Sequence, residues 1–237
     1  MSSSHAEPHL SSPLSLAELP RLFDHTLLKP DATPAQIQKL CEEAVTFSFA
    51  TVCINPCNIA QAKKLTRESP VKVCTVVGFP LGANLRAVKI YETNQCLELG
   101  ASEIDMVINV GAFLAGHDAQ IEAEIRDIAS ACHSANAICK VILETCLLNH
   151  DQKICGGQLV KDAGADFVKT STGFSTSGAT ADDVRLLRAT VGPNFGIKAA
   201  GGIRTLEDVK KMVAAGATRI GSSSSVKIIE EARLAGP

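Results

Sequence analysis

The chain has 237 residues with 46% hydrophobic and 20% charged side chains, an ordinary globular composition that excludes a disordered protein. Its 23 basic and 25 acidic residues give a net charge of −2, and without a basic excess nucleic acid is not an expected partner. We therefore expect a folded domain with a sizeable core. A net charge of −2 is still compatible with a local site for one phosphate group.

The N-terminus and the cysteines indicate the compartment. The first residues have neither the basic region nor the apolar segment of a secretory signal. The longest uncharged stretch, 44–62, contains asparagine, glutamine and proline, so no membrane span is predicted. Nine cysteines are present, and Cys53, Cys74 and Cys139 lie in apolar, strand-like runs where a free thiol packs well. We expect a cytoplasmic protein, with a flexible tail over 1–13 and a single domain over 14–237.

Short β-type runs alternate with amphipathic helical patterns along the chain. The predicted strands cover residues 22–26, 49–54, 72–77, 103–109, 139–145, 166–170, 195–198 and 218–221. Helical patterns are centred on 34–48, 56–69, 83–99, 117–135, 149–163, 181–190, 205–215 and 225–234. Three of them begin after a threonine typical of an N-cap, at Thr33, Thr180 and Thr205.

The alternation of strand and helix predicts a parallel sheet with helical crossovers. Eight such units in about 220 residues predict a (β/α)8 TIM barrel. The alternative is a doubly wound open sheet, which usually has a glycine-rich phosphate turn after its first strand. Here the first strand leads into Asp24-His-Thr-Leu-Leu-Lys29, which contains no glycine, so the barrel is favoured.

Three predicted strands carry a charged residue inside an apolar run. Asp105 lies within the fourth strand, and Lys169 and Lys198 lie near the carboxyl ends of the sixth and seventh. A charge in a packed strand is costly unless it is paired or used, and the carboxyl ends of barrel strands form the active face. Taken singly, Asp105 could be a structural hydrogen-bond acceptor, Lys169 could extend to solvent, and Lys198 could pair with an acid or a phosphate.

Two lysines that face one barrel mouth beside an acid indicate a chemical role. Two ammonium groups that are close in a medium of low dielectric do not both keep their protons easily. An unprotonated amine attacks a carbonyl carbon to form a Schiff base, and Asp105 could then move protons directly or through water. The pattern therefore predicts cleavage or formation of a carbon–carbon bond next to a carbonyl group.

Loops of glycine and other small residues follow the last three predicted strands. Ala199-Ala-Gly-Gly-Ile-Arg204 follows the seventh strand, residues 221–225 lead from the eighth into a helix, and residues 170–178 follow Lys169. Each loop alone could be an ordinary turn or helix cap, but barrels often bind phosphate with the loops after strands seven and eight. We predict a phosphate site here, where Arg204 could either hold the phosphate or brace the loop.

These segments resemble the deoxyribose-phosphate aldolase family of class I aldolases, which act through a lysine Schiff base. The resemblance covers about residues 20–230, and its most specific segments are Val168-Lys-Thr-Ser-Thr-Gly173 and Lys198-Ala-Ala-Gly-Gly-Ile-Arg204. Other matching segments are Asp24-His-Thr-Leu-Leu-Lys29, Ala50-Thr-Val-Cys-Ile-Asn55, Glu103-Ile-Asp-Met-Val107 and Arg219-Ile-Gly-Ser-Ser-Ser224. The family implies a barrel that reversibly cleaves 2-deoxy-D-ribose 5-phosphate to D-glyceraldehyde 3-phosphate and acetaldehyde.

The resemblance also implies roles for individual residues. Lys169 would form the Schiff base, Lys198 would be the cation that favours its unprotonated form, and Asp105 would donate and accept protons. The residues implied to line the phosphate site are Gly173, Gly201, Gly202, Gly221, Ser223 and Ser224. Those implied to line the pocket and its surroundings are Asp24, Thr26 and Cys53, the last as a packed thiol. Neither a metal nor another cofactor is implied, and the histidines lack the spacing of zinc ligands.

Two features depart from the family pattern. Some relatives end in a longer tail with a terminal tyrosine, whereas this chain ends at Pro237 and its only tyrosine, Tyr91, lies in a predicted helix. Some relatives also have a lysine where Phe174 stands, so a charge at the edge of the phosphate site is absent here.

Two other functions and the oligomeric state remain open from the sequence. One alternative is a phosphosugar isomerase or synthase on the same barrel without a covalent lysine. The other is an inactive binding barrel whose two lysines hold an anionic ligand. The favoured interpretation has a phosphosugar as its small-molecule partner, and an exposed face on a barrel helix could support a homodimer.

Overall fold

Eight parallel strands close into a barrel in the computed structural model, which describes residues 16–235. Each strand pairs with its neighbours in chain order, and β1 pairs with β8 to complete the ring. The strands are β1 Phe23–Leu27, β2 Thr51–Ile54, β3 Lys72–Val77, β4 Glu103–Val107, β5 Ile138–Ile142, β6 Phe167–Lys169, β7 Gly196–Ala200 and β8 Arg219–Ser222. The predicted (β/α)8 TIM barrel is confirmed, and the open sheet is excluded because the ring leaves no free strand edge.

Helices between the strands form the outer layer. They are α1 Pro34–Phe47, α2 Ile59–Thr66, α3 Arg86–Glu98, α4 Val110–Leu114, α5 Asp118–Ser134, α6 His150–Asp162, α7 Ala181–Val191, α8 Leu206–Ala214 and α9 Ser225–Ala235. The three predicted N-caps are confirmed, because each threonine side chain accepts a hydrogen bond from a backbone N–H in the first turn. These residues are Thr33, Thr180 and Thr205.

Strand β4 shows how the barrel combines an apolar core with a charged interior. All of its residues are buried, and side chains along a strand alternate between its two faces. Ile104 and Met106 belong to the main hydrophobic core. Glu103 and Asp105 both form ion pairs with Lys140 of β5, so these two acids share the opposite face. Burial of each large apolar side chain contributes about 1.5–3 kcal/mol, which offsets the cost of the enclosed charges.

The structure differs from the predicted elements mainly where strands end. The fourth strand stops at Val107 because the side chain of Asn109 caps a short helix, α4, that was not predicted. The side-chain Oδ1 of Asn109 accepts from the backbone N–H of Ala112 at 3.1 Å. The fifth strand stops at Ile142, three residues early, and Thr145–Leu147 forms a 3-10 helix. Two further 3-10 helices cover Leu19–Leu22 and Pro56–Asn58.

Three sequence predictions concern the chain as a whole. The tail predicted for residues 1–13 lies outside the described residues. Between residues 16 and 235, every helix is too short or too polar to cross a membrane. The cysteines are free thiols, and Cys53, Cys74 and Cys139 are buried in strands as predicted.

Candidate active site

Three charged side chains predicted from the sequence meet inside the barrel. Lys169 and Lys198 occupy paired positions on the neighbouring strands β6 and β7. Lys169 Nζ lies 2.8 Å, and Lys198 Nζ 2.6 Å, from the same atom, Oδ2 of Asp105 on β4. None of the three is more than 2% exposed. One carboxylate therefore holds two buried amines together, which is the arrangement that the strand positions predicted.

A third buried lysine contacts the same carboxylate from its other side. Lys140 of β5 is fully buried, and its Nζ lies 2.8 Å from Asp105 Oδ1 and 2.6 Å from Glu103 Oε2. The sequence analysis did not select Lys140 or Glu103. The signal for Lys140 was present, because it interrupts the apolar run of β5 just as Asp105 interrupts that of β4.

Asp24 on β1 joins the cluster from the opposite side of the barrel. It forms an ion pair with Lys198, and its Oδ1 accepts from Arg219 of β8 at 2.8 Å. Arg219 Nη1 also lies 3.1 Å from Glu103 Oε2, and its guanidinium carbon lies 5.4 Å from the ring centroid of Phe167. The predicted pocket residue Asp24 thus positions Lys198, while the sequence analysis did not select Arg219.

The ion pairs fix most protonation states in this cluster. Burial alone would raise the pKa of Asp105, but Lys140, Lys169 and Lys198 hold it well below its usual range. The pKa of Asp24 is likewise lowered, because Lys198, Lys140 and Arg219 outweigh its burial. Burial would lower the pKa of Lys198, yet Asp105 and Asp24 raise it above the ordinary value. The two carboxylates are therefore ionised, and Lys198 is protonated, near neutral pH.

Between residues 16 and 235, the cluster has one more basic group than it has carboxylates. Within the described residues the cluster contains four basic groups and three carboxylates. Nearby carboxylates, Asp105 first among them, also raise the pKa of Lys140 well above its ordinary value despite its burial. An arginine stays protonated at any pH that proteins tolerate. Of the four, Lys169 has the fewest carboxylate partners, since its single ion pair is to Asp105.

Two buried thiols lie beside these charges. Cys53 of β2 is paired in register with Thr26 of β1 and with Cys74 of β3. Cys74 Sγ lies 3.3 Å from Asp105 Oδ1 and 3.3 Å from Lys140 Nζ. A hydrogen bond from Cys74 lowers the pKa of Cys53 to about 7, against the effect of burial. Cys53 is thus buried but close to the charges, and the Thr26 hydroxyl donates to the backbone carbonyl of Asp24 at 2.8 Å.

The predicted phosphate loops after β6 and β7 lie side by side. Gly173 and Gly201 have φ values of 85° and 87°, which favour glycine. A Cβ atom at Gly173 would lie 3.9 Å from the Cα of Gly201, and one at Gly178 would lie 2.1 Å from the Gly201 carbonyl oxygen. The loops therefore depend on glycine for this contact. The side chain of Thr170 also joins the two strand ends, since its Oγ1 accepts from Ala200 N at 3.2 Å.

The end of β8 completes this face. Ser222 Oγ donates to the carbonyl of Ile203 at 2.8 Å and accepts from Ser224 N at 3.0 Å, so the β8 turn is tied to the β7 loop. Gly221 lies within β8, where a Cβ atom would be 3.2 Å from Lys198 Cε. The side chain of Lys198 therefore has room to pass because residue 221 is glycine.

Several polar groups on these loops are available to a ligand. Within residues 16–235, the backbone N–H groups of Gly173, Gly202 and Ser223 have no hydrogen-bond partner. The hydroxyl of Ser171 is buried and likewise unpartnered in the described part of the chain. Buried polar groups are nearly always satisfied by protein, water or ligand, so Ser171 is a candidate binding residue that the sequence did not reveal. Arg204 is exposed, and its backbone N–H donates to Asp208 Oδ2 at 3.0 Å.

Comparison with known proteins decides the family. A family model described as DeoC/LacD family aldolase matches residues 21–228, which include every strand of the barrel. The chain belongs to this aldolase family. A deoxyribose-phosphate aldolase of Geobacillus sp. (strain WCH70) is 55% identical over 210 residues, which are 89% of this chain and 94% of that relative. One from Clostridium perfringens (strain SM101 / Type A) is 52% identical over 213 residues, covering 90% and 95% of the two chains.

Solved structures of similar proteins agree. A putative deoxyribose-phosphate aldolase from Coccidioides immitis superposes with a TM-score of 0.90 at 40% identity, covering 97% of this chain and 92% of that one. The deoxyribose phosphate aldolase of Aeropyrum pernix, described as having a unique tetrameric structure, superposes with a TM-score of 0.87 at 36% identity over 92% of both chains. The barrel of this aldolase is therefore shared by both of these solved relatives.

Two groups of donors in this aldolase are close enough to hold a metal ion, but their charges are already used. One ligand atom from each of Cys53, Cys74 and Asp105 lies within 4.8 Å of the others, and the same is true of Asp24, Cys74 and Glu103. Each carboxylate in these groups already pairs with a buried lysine or arginine. A cation would have to displace those ammonium or guanidinium groups, so the donor sets fit a metal poorly.

Proposed function

We propose that this protein reversibly cleaves 2-deoxy-D-ribose 5-phosphate to D-glyceraldehyde 3-phosphate and acetaldehyde, with Lys169 as the Schiff-base nucleophile. The observation that carries the proposal is the contact of Lys169 and Lys198 with one oxygen of Asp105 inside the barrel. The names of relatives that are more than 50% identical support the substrate.

The nucleophile is the unprotonated amine of Lys169. Lys198 and Lys140 keep their protons because carboxylates surround them, and the fourth positive charge of a fully protonated cluster has no matching carboxylate. Desolvation and neighbouring cations both disfavour an additional ammonium group. Lys198 therefore acts through its charge, and Asp24 holds it in place.

Cleavage uses the iminium group as the electron sink. Lys169 Nζ attacks C1 of the open-chain aldehyde, and loss of water forms a protonated imine. A base takes the proton of the C3 hydroxyl, the electrons of the C2–C3 bond move toward the iminium nitrogen, and glyceraldehyde 3-phosphate leaves. The remaining two-carbon enamine takes a proton at C2, and hydrolysis releases acetaldehyde and restores the amine.

Asp105 moves the protons in these steps. Its Oδ2 lies 2.8 Å from Lys169 Nζ, within reach of a group bonded to that nitrogen. The surrounding lysines keep its pKa low, which makes the carboxylate a weak base by itself. Asp105 therefore moves each proton indirectly, by orienting a water molecule that carries the proton between substrate and solvent.

The phosphate group of the substrate binds to the loops after β6, β7 and β8. The backbone N–H groups of Gly173, Gly202 and Ser223, which have no partner among the described residues, support this assignment. Gly201 and Ser224 shape the loops that carry them, and Gly221 lies near the end of β8 beside the Lys198 side chain. Backbone N–H groups that precede a helix favour an anion, and α9 begins at Ser225. Thr26 and Cys53 form part of the pocket wall.

We also propose a cytoplasmic location, where a reducing environment suits nine free thiols.

We further propose that the chain self-associates. The tetramer of the Aeropyrum pernix relative supports self-association. Leu85, Val88 and Tyr91, at the start of α3, are 76%, 46% and 66% exposed and give an apolar face for a second copy. Light scattering on the purified protein would test this, and a monomer at micromolar concentration would contradict it.

Product analysis tests the reaction. Incubation with 2-deoxyribose 5-phosphate is expected to release acetaldehyde and glyceraldehyde 3-phosphate in equal amounts, measured by proton NMR. A phosphosugar isomerase would give a five-carbon isomer without acetaldehyde, and an inactive binding barrel would give no product. Either result would refute the proposed function.

A further inference from the structure

Glu144, immediately beyond β5, has an unusual backbone conformation for a buried acid. Its φ and ψ are 58° and 61°, in the left-handed region that favours glycine. In the described range two other residues besides glycine share a positive φ, Ser48 and Asn136, and both are exposed at the ends of helices. Glu144 is 4% exposed and lies between a strand and a 3-10 helix. A strained residue at the active face is held there by its surroundings.

The carboxylate of Glu144 holds the loop after β6. Its Oε1 accepts from the backbone N–H of Thr172 at 3.2 Å, and its Oε2 accepts from the hydroxyl of the same residue. The Thr172 hydroxyl oxygen in turn accepts from the backbone N–H of Phe174 at 3.0 Å. Next to Glu144, Thr145 N donates to the carbonyl of Thr170 at 2.9 Å. The end of β5 therefore bonds directly to Thr170 and Thr172 in the loop that follows Lys169, and through Thr172 to Phe174.

These bonds determine which backbone donor of the turn formed by residues 172–174 is left for an anion. The backbone N–H groups of Thr172 and Phe174 are both used internally, whereas that of Gly173 between them has no partner among the described residues. The same bonds hold Gly173 in its left-handed conformation beside Gly201. A carboxylate would repel a phosphate directly, so any contribution of Glu144 to phosphate binding is made through Thr172.

We propose that Glu144 is a positioning residue for phosphate recognition, which presets the turn of residues 172–174 so that the Gly173 N–H is free to bind the substrate phosphate. This inference rests on the proposed function. Glu144 is not a catalytic residue, because within the described chain it makes no hydrogen bond or ion pair to Asp105, Lys169 or Lys198.

The test compares a phosphorylated with an unphosphorylated substrate. Glu144→Ala is expected to raise the KM for 2-deoxyribose 5-phosphate by about tenfold or more, which is about 1.4 kcal/mol, with kcat changed less than about twofold. The kcat/KM for 2-deoxyribose, which has no phosphate, is expected to stay within about twofold of the wild-type value. Glu144→Gln keeps one acceptor oxygen, so its KM is expected to be close to the wild-type value. Glu144→Gly, which removes the backbone strain as well, is expected to behave like Glu144→Ala.

Two outcomes would overturn the inference. An equal loss of kcat/KM for both substrates would show that Glu144 supports the reacting centre or the fold in general. An unchanged KM for the phosphorylated substrate in Glu144→Ala would show that the loop binds phosphate without the hydrogen bonds from Glu144 to Thr172. If Glu144→Ala does not fold by circular dichroism, Thr172→Val, with Thr172→Ser as its matched control, tests the same hydrogen bond under the same criteria.

Binding of inorganic phosphate separates this inference from the proposed reaction. Its dissociation constant, measured by calorimetry on the wild type and on Glu144→Ala and Glu144→Gln, requires no turnover. Weaker binding in the alanine variant alone supports the positioning role even if the wild type fails to cleave the sugar. Equal binding in all three proteins contradicts it, even if the reaction is confirmed.

Discussion

Replacement of Lys198 by methionine removes the positive charge beside the proposed nucleophile, Lys169, while it keeps most of the side-chain volume. Lys198 Nζ lies 2.6 Å, and Lys169 Nζ 2.8 Å, from the same oxygen of Asp105. In Lys198→Met the three carboxylates face two permanent cations, so Lys169 is expected to bind a proton to restore the balance. A protonated Lys169 cannot attack the aldehyde.

The size of the effect follows from the electrostatics of such a pair. Two unit charges about 4 Å apart interact by about 4 kcal/mol at an effective dielectric constant of about 20. About 1.4 kcal/mol is a factor of ten, so an interaction of this size corresponds to about a thousandfold change in rate. Asp24 loses its partner as well, which acts in the same direction. We expect kcat/KM at pH 7 to fall about a thousandfold and to recover as the pH is raised.

The assay is the pH dependence of kcat/KM for cleavage of 2-deoxyribose 5-phosphate. In Lys198→Met the acidic limb of the profile is expected to move upward by up to about three pH units. The matched control is Lys198→Arg, which keeps the charge and should leave the position of that limb unchanged, although its geometry lowers the rate. If Lys198→Met loses activity with no shift of the acidic limb, Lys198 acts through geometry or proton transfer, and the electrostatic reasoning is wrong.

Four further predictions follow from the same contacts. Lys169→Ala should abolish turnover yet retain the wild-type unfolding midpoint, because the remaining buried charges balance; residual turnover would exclude Lys169 as the nucleophile. Lys140→Met should lower the free energy of unfolding in urea by about 3–5 kcal/mol, because it removes a buried cation that pairs with both Glu103 and Asp105; an unchanged midpoint would contradict this. Gly178→Ala should raise the KM for the phosphorylated substrate, since its Cβ would lie 2.1 Å from a carbonyl oxygen of the neighbouring loop; a wild-type KM would show that the loops can part freely. Burial would raise the pKa values of Asp24 and Asp105, but the neighbouring cations lower them below 3.8 in the folded protein. As the pH falls, the unfolded chain therefore binds protons before the folded protein does, so stability should fall below about pH 4. A urea midpoint that does not change with pH in that range would refute this prediction.

The barrel and the meeting of three charged side chains inside it could be predicted from the sequence because both depend on patterns that are local. Strand and helix periods, threonine caps and small-residue loops are read within a few positions. Asp105, Lys169 and Lys198 are conspicuous because each interrupts an apolar run that has to be buried. Lys140 carries the same signal inside Ile138–Ile142 and could have been included.

Other parts of the site depend on contacts that the sequence does not reveal. Glu103 and Arg219 are the first residues of their strands, where a charged side chain is ordinarily solvated. They are buried here because they pair with each other across the barrel interior, 116 positions apart in the chain. The left-handed backbone of Glu144 is likewise a consequence of its bonds to Thr172, which belongs to a different strand–loop unit. Helix α4 was missed because it is only five residues long.

Covalent trapping tests the central claim most directly. The protein is incubated with acetaldehyde and sodium borohydride, digested, and mapped by tandem mass spectrometry, with Lys169→Ala treated in parallel. A reactive, unprotonated Lys169 predicts one ethyl group on the peptide that contains this residue, with Lys140 and Lys198 unmodified and activity lost in proportion to labelling. Labelling of Lys198 instead, or full activity after Lys169 has been modified, would contradict the assignment of Lys169 as the Schiff-base nucleophile.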